Sequence, residues 1–208
     1  MSALKKILMM ANQAEEENLL PEGYAECECL QSEGNCRLKT PHPGDGIVVE
    51  SILQGVSHGS SYTVPFSVYK SQGGFSVYHY DKGWTLGSTI GFLPFYFEKV
   101  EMRLTFSSKA VSLSMNNTLN GCYSEKPQSR IGTNSYVPHN LYIFGSDTNA
   151  NSFKGSIFSV KVYDLNGNML SHYVPVLHLA DATPGMYDLI REEFLTNVGT
   201  GKFTYKLK

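Results

Sequence analysis

Acidic side chains are the first residues in this sequence whose chemistry and spacing could support a reaction. Glu98 and Glu101 stand three positions apart on a predicted strand and so fall on opposite faces of it, while Glu192 and Glu193 follow each other in a predicted loop. Hydrolysis of a glycosidic bond needs two carboxyl groups flanking that bond, about 5 to 9.5 Å apart. Neither pair is predicted to flank a substrate, so we expect no glycoside hydrolase.

Nucleophilic side chains give no stronger candidate. The sequence has no Gly-x-Ser-x-Gly turn, and Gly73-Gly74 and Gly199-Thr200-Gly201 are typical of chain turns, not of a loop that binds phosphate. Histidines occur far apart, without a recognisable partner motif: His58, His79, His139, His172 and His178. The sequence therefore predicts no catalytic residue and a protein that is not an enzyme.

Four cysteines could bind a metal or form disulfides. Cys27 and Cys29 are two apart on a predicted strand and share one face of it. Cys36 and Cys122 do not supply a second ligand pair at the spacing of a zinc site. We expect free buried thiols, as in a reducing cytoplasm, with a Cys29–Cys36 disulfide as the alternative.

A calcium site is the single cofactor that the sequence leaves open. Asp147, Asn149 and Asn151 alternate in the loop GSDTNANS and could supply the oxygen ligands that calcium prefers. A turn rich in Asp and Asn has the same composition without any metal. No other cofactor is expected.

Aromatic residues suggest a sugar-binding surface. Aromatic faces contact the apolar patches of sugars, and planar polar side chains bind their hydroxyl groups. Alternation places Tyr78 and Tyr80 on one face of a strand, close to the only tryptophan. The glycan-binding candidates are Tyr78, Tyr80, Trp84, Tyr136 and Asn140. The alternative is that these rings fill the core.

The first nineteen residues differ from the rest of the chain because strong helix formers dominate them. The residues on one predicted helical face are Leu4, Ile7, Leu8 and Ala11. We expect an arm that anchors the protein or joins its copies, with a helix folded on its own domain or a frayed terminus as alternatives. The apolar run from Ile7 to Ala11 is too short for a signal peptide or a membrane span.

Composition and alternation indicate one all-β domain after this arm. The chain of 208 residues has 17 basic and 19 acidic residues without a basic stripe, which argues against nucleic acid as a partner. Period-two patterns between turn residues predict strands of a two-sheet sandwich. These predicted strands are Ile47–Gln54, Tyr62–Tyr69, Phe75–Tyr80, Tyr96–Phe106 and Ala110–Met115, and a strand, turn and return strand run from Gly155 to Val174.

The block from Gly155 to Phe203 resembles the C-terminal signature of the concanavalin-A-like, laminin-G-like jelly-roll domains of many bacteriophage structural proteins. It contains the strand G-x-I-x-S-x-K-x-Y-D, a Val-Pro step, the tetrapeptide GMYD and the segment F-x-x-N-x-G-T-G-x-F. Leu20–Gly34 resembles the opening strand of that family. The departures are Cys27 and Cys29, and Asn35-Cys36-Arg37 in place of the usual T-Q-Y.

The resemblance implies a two-sheet antiparallel jelly roll over residues 20–208, preceded by the helical arm of residues 1–19. It also implies a non-enzymatic virion structural protein, a fibre, tail or capsid-decoration subunit, assembled in the cytoplasm of a host bacterium. Such a subunit would contact other virion proteins, form a homo-oligomer, preferably a trimer, and bind host or mucosal glycans, with no membrane partner. The alternatives are a carbohydrate-active enzyme or its accessory module, and a bacterial surface adhesin.

Overall fold

A computed structural model describes residues 20–57, 59, 62–68, 76–81, 83–86, 97–107, 110–117, 123–129, 139–148 and 151–208. Within these ranges the chain forms strands and no helix, which confirms the predicted all-β class. The strands are β1 (Tyr24–Glu33), β2 (Leu38–Pro43), β3 (Ile47–Gly55), β4 (Phe66–Ser67), β5 (Val77–Tyr80), β6 (Gly83–Leu86), β7 (Lys99–Phe106), β8 (Ala110–Asn117), β9 (Tyr123–Ser129), β10 (Asn140–Ile143), β11 (Lys154–Asp164), β12 (Met169–His178), β13 (Thr183–Asp188), β14 (Glu193–Leu195) and β15 (Thr204–Leu207). The expected helical arm lies outside the described residues.

Three antiparallel sheets make up the described fold. The large sheet has the order β14-β13-β12-β1-β11-β3-β7-β8-β9, and β15 also pairs with β1. A second sheet has the order β2-β10-β4, and β5 and β6 form a separate ribbon. Alternate side chains of the large sheet share one buried core with apolar residues of both smaller sheets, so the sheets pack as the expected sandwich.

The hairpin between β11 and β12 shows how local sequence fixes register. Asp164 Oδ1 accepts hydrogen bonds from the backbone N–H groups of Asn166 and Asn168, at 2.9 and 2.8 Å. Gly167 has φ of +88°, a value that glycine adopts without steric cost. The predicted turn is therefore present, and it sets Val160 opposite Tyr173 in the β11–β12 pair.

The C-terminal glycine motif ties the chain end to the turn after β1. Asn197 Oδ1 accepts the backbone N–H groups of Arg37, at 3.0 Å, and Gly199, at 2.8 Å, while its Nδ2 donates to the Gly201 carbonyl at 2.7 Å. A Cβ atom on Gly199 would lie 2.2 Å from the carbonyl oxygen of Asn35. The close backbone approach explains why glycine occupies position 199.

The thiols of Cys27, Cys29 and Cys36 are buried and free, as predicted for them. Cys29 and Cys36 are therefore not joined in a disulfide. Burial raises the pKa of Cys27 to about 11, so its thiol stays protonated and unreactive near neutral pH. Cys122 lies outside the described residues.

No helix within the described ranges has the length and apolar character needed to cross a membrane.

Candidate functional site

A groove of about 480 Å³ lies on the large sheet, on the face turned away from the smaller sheets. Strands β3, β7, β8 and β11 form its floor, and their in-register pairing arranges the outward side chains in two rows across the strands. The first row consists of Lys161, Glu50, Arg103 and Ser114. The second row consists of Ser159, Ile52, Glu101 and Asn116.

Period-two alternation explains why these side chains face outward. On β7, Val100, Met102 and Leu104 are buried in the core, so Glu101 and Arg103 between them point to solvent. The same alternation holds on β3, where Val49, Ser51 and Leu53 are buried and the intervening side chains are half-buried. The groove is therefore the polar face of strands whose other face forms the core.

The two carboxylates in the groove have different partners. Arg103 Nη1 donates to Glu50 Oε1 in an ion pair between adjacent strands of the first row. Burial, together with a hydrogen bond to Glu50, raises the pKa of Tyr163. In the second row, Asn116 Nδ2 donates to Glu101 Oε2 at 3.3 Å. Glu50 is thus neutralised by a cation, whereas Glu101 is held by an uncharged amide.

The prediction that Glu98 and Glu101 point in different directions was correct, but the neighbours of Glu101 were not predicted. Glu101 lies in the groove, whereas Glu98 precedes β7, and its Oε2 is buried with no hydrogen-bond partner in the described part of the chain. Strand pairing alone brings Asn116 on β8 and Ile52 on β3 to the two sides of Glu101. The available signal was the alternation of β7 itself, which places Glu101 and Arg103 on one face of the strand.

Among the glycan-binding candidates, the structure places the tyrosines and the tryptophan in different environments. Tyr78 and Tyr80 share a half-buried face as predicted, and the ring of Tyr62 packs 4.8 and 5.7 Å from theirs. Trp84 is fully buried against His79 at 4.3 Å, so the core alternative holds for Trp84 and it is not part of a surface platform.

Of the two remaining glycan candidates, Asn140 lies in the described part of the chain. Asn140 Nδ2 donates to the Thr40 carbonyl at 2.7 Å, so this amide is engaged by the backbone. Tyr136 lies outside the described residues. Contact between a glycan and Tyr78 or Tyr80 stays a prediction.

The guanidinium group of Arg37 binds the backbone of the candidate calcium loop. Arg37 Nη1 donates to the carbonyls of Ser146 and Asp147, at 3.2 and 2.7 Å, and so places a guanidinium beside the loop. Asn151 is exposed with φ of +56°, and Asn149 lies outside the described residues. Within the described ranges no group of three or more His, Cys, Asp or Glu side chains is arranged to hold a metal ion. A calcium site stays a prediction.

A second polar cluster lies in the core and was not predicted. His42 Nε2 and Ser171 Oγ are 2.6 Å apart, with Tyr173 beside them. Asp188 Oδ1 accepts from the backbone N–H of His172 at 3.1 Å. Residue types of this kind form nucleophile–base–acid sets, but Ser171 is 0% exposed and no substrate can reach its hydroxyl. The cluster therefore joins the two sheets and does not form a reaction site.

We expect His42 to make the free energy of unfolding depend on pH. Burial is the main cause that lowers the pKa of His42 in the folded protein, so the unfolded chain binds the proton first as the pH falls. Stability from this group is complete above about pH 7 and declines below about pH 6.5, by at most about 1.4 kcal/mol per pH unit. Urea unfolding between pH 5 and 8 measures this slope.

The control for this pH dependence is His42→Gln, whose amide can still bond to Ser171 and does not titrate. The slope should become shallower in this variant. It should not vanish, because burial also lowers the pKa of His172, which contributes separately to the pH dependence. An identical slope in the wild-type protein and His42→Gln would contradict the assignment.

No protein-family model matches this sequence, and no curated protein matches it. Solved structures do match. SCP-B, a member of the eqolisin family of peptidases in a complex with the tripeptide Ala-Ile-His, is 14% identical, with 89% of this chain and 98% of that chain covered and a TM-score of 0.34. Scytalido-glutamic peptidase with a peptide-based transition state analog is 13% identical, with the same two coverages and a TM-score of 0.35. Another structure of that peptidase, with a transition state analog inhibitor, is 13% identical over 74% of this chain and 88% of its own, with a TM-score of 0.26.

These matches correct the expected class of protein. All three structures are peptidases, and neither a bacteriophage structural protein nor a lectin is among them. The predictions of a non-enzymatic virion subunit with a lectin-like, carbohydrate-binding domain, and of a protein that is not an enzyme, were wrong on this comparison. At TM-scores below 0.5 the likeness carries no argument about the activity of this chain, which must be judged from its own groove.

Proposed function

We propose that this protein is a hydrolase that cleaves a peptide bond in a chain bound across the groove. The observation that carries the proposal is the Glu101–Asn116 hydrogen bond of 3.3 Å on the open floor of the groove. A carboxylate can accept a proton from water, and an amide can stabilise the negative oxygen that develops on an attacked carbonyl. The pair therefore combines the two groups that amide hydrolysis requires.

In the proposed reaction, Glu101 takes a proton from a water molecule as the water oxygen bonds to the carbonyl carbon. Asn116 has two N–H groups, and the one that does not donate to Glu101 donates to the new oxyanion. When the C–N bond breaks, Glu101 returns the proton to the leaving amine. One water molecule is consumed, and no other reactant is needed.

A peptide fits this groove better than a polysaccharide does. Sugar sites use aromatic faces, but no aromatic side chain is among the described residues that line the groove. The lining instead combines both signs of charge with hydroxyl groups and the half-buried side chain of Ile52. Such a mixture complements a backbone amide chain with varied side chains.

Two finer features of the fold belong to the same proposal. The C-terminal segment with its GMYD and N-x-G-T-G elements supports a jelly-roll connection of the concanavalin-A-like type. Residues 1–19 carry the apolar face that an assembly helix would need, so we propose a homo-oligomer formed through that arm. Light scattering of the full chain beside a chain that begins at Leu20 tests the second point.

The hydrolase proposal is tested by incubating the purified chain with a mixed peptide library between pH 3 and 8. Mass spectrometry should detect new peptide ends that increase with time and with protein concentration. A polysaccharide panel is run in parallel with detection of reducing ends. Absence of peptide products at every pH, or release of sugar ends alone, would reject the proposal.

A further inference from the structure

Among the residues that the structure describes, one cation in the first row of the groove has no counter-ion. Lys161 stands opposite Glu50 in the β11–β3 register, yet Glu50 forms its ion pair with Arg103 on the other side. No carboxylate in the described part of the chain is within ion-pair distance of Lys161. The first row therefore holds two cations and one carboxylate, and its net positive charge resides at Lys161.

The neighbours of Lys161 do not remove this charge. His172 lies opposite Lys161 on β12, and burial, with the positive charge of Lys161 as a further cause, lowers the pKa of His172. The imidazole is therefore neutral at pH 7. Glu50 is already shared between Arg103 and Tyr163.

We infer that Lys161 forms a subsite that binds a carboxylate of the substrate, either an acidic side chain or a free C-terminus. The second row favours this placement, because Glu101 repels an anionic group near the reacting bond and directs it toward Lys161. The position of the subsite relative to the cleaved bond rests on the proposed function. Binding of the carboxylate itself does not.

Sheet geometry gives the distance between the subsite and the reacting pair. Across the strands, Lys161 on β11 and Glu101 on β7 are separated by two strand spacings of about 4.8 Å each. Along the strands they are separated by one row, which corresponds to two residues of about 3.3 Å each. The backbone separation is then roughly 12 Å, or about three to four residues of extended peptide. We therefore expect the acidic group about three residues from the cleaved bond.

The test measures binding separately from cleavage. Fluorescein-labelled eight-residue peptides of otherwise neutral sequence carry one Glu or one Gln at each position in turn, with blocked ends. A second set has no acidic side chain and carries a free or an amidated C-terminus. Fluorescence anisotropy at 4 °C gives the dissociation constants for the wild-type protein, Lys161→Gln and Lys39→Gln. Lys39 is the matched control because it is an exposed lysine on β2, in a different sheet.

We expect the wild-type protein and Lys39→Gln to bind the best Glu peptide, or the free C-terminus, about tenfold more tightly than its neutral partner, as for one charge-assisted hydrogen bond. Lys161→Gln should bind both members of each pair equally. Equal binding of the acidic and neutral peptides by the wild-type protein, or a preference that survives in Lys161→Gln, would overturn the inference.

Cleavage of the same peptides distinguishes this inference from the proposed function. Lys161-dependent binding without cleavage at any pH would support the subsite and reject the hydrolase. Cleavage without a preference for an acidic residue would support the hydrolase and reject the subsite. If neither binding nor cleavage occurs, both proposals fail.

Discussion

Replacing Glu101 by Gln is expected to reduce peptide cleavage by a factor of about 10² to 10⁴. Glutamine keeps the size and the hydrogen-bonding capacity of the side chain but cannot accept a proton from water. Asn116 can still lie beside position 101, so substrate binding should change little and the loss should appear in kcat. Initial rates on the peptide cleaved fastest by the wild-type protein provide the measurement.

Two further variants make this result specific. Glu33→Gln makes the same change at an exposed glutamate at the end of β1, outside the groove, and should keep wild-type rates. Asn116→Ala removes the proposed oxyanion donor and should lower kcat about 10²-fold to 10³-fold. Cleavage that persists in Glu101→Gln, or that falls equally in Glu33→Gln, would show that Glu101 is not the general base.

Replacing Asp188 by Ala is expected to destabilise the folded protein by about 3 to 5 kcal/mol. Asp188 is 0% exposed, and its Oδ1 accepts the backbone N–H groups of His172, Ile190 and Arg191, at 3.1, 3.0 and 3.4 Å. Alanine would leave these donors without their acceptor and would also open a cavity in the core. Urea unfolding at pH 7 gives the change in the free energy of unfolding.

The controls for Asp188 separate the hydrogen bonds from the charge. Asp188→Asn retains an oxygen for the three N–H groups and should lose less than half of the stability that Asp188→Ala loses. Asp181→Ala removes a mostly exposed carboxylate that bonds to His178 and should change the free energy of unfolding much less than Asp188→Ala does. A loss in Asp188→Ala no larger than that in Asp181→Ala would contradict the role of Asp188 in joining β12 to the turn after β13.

These hydrogen bonds give a physical reason for the GMYD tetrapeptide that the sequence singled out. Asp188 is the last residue of β13. Its carboxylate accepts backbone N–H groups from His172 on β12 and from Ile190 in the turn after β13. Gly185 is needed for another reason, because a Cβ atom there would lie 2.6 Å from the ring of Phe194 and 2.3 Å from the Leu195 carbonyl oxygen. The motif is therefore explained by packing and turn geometry, without any ligand.

The sequence by itself determined the features that depend on near neighbours. Alternation located β3, β7 and β8 to within a few residues, and Asp164 with Gly167 fixed the β11–β12 turn. It was less successful at the predicted strand Tyr62–Tyr69, where the described part of that segment holds only the two-residue strand β4. A short edge strand with few pairing partners gives a weak periodic signal.

Only the tertiary structure decided which side chains meet. Glu50 and Arg103 are 53 positions apart, and His42 and Ser171 are 129 apart, yet each pair is in direct contact. Period two assigns a residue to a face of its strand but does not identify the neighbouring strand or the register with it. The Lys161–Glu50–Arg103 row and the Glu101–Asn116 pair arise from the order β11-β3-β7-β8, which depends on how the whole core packs.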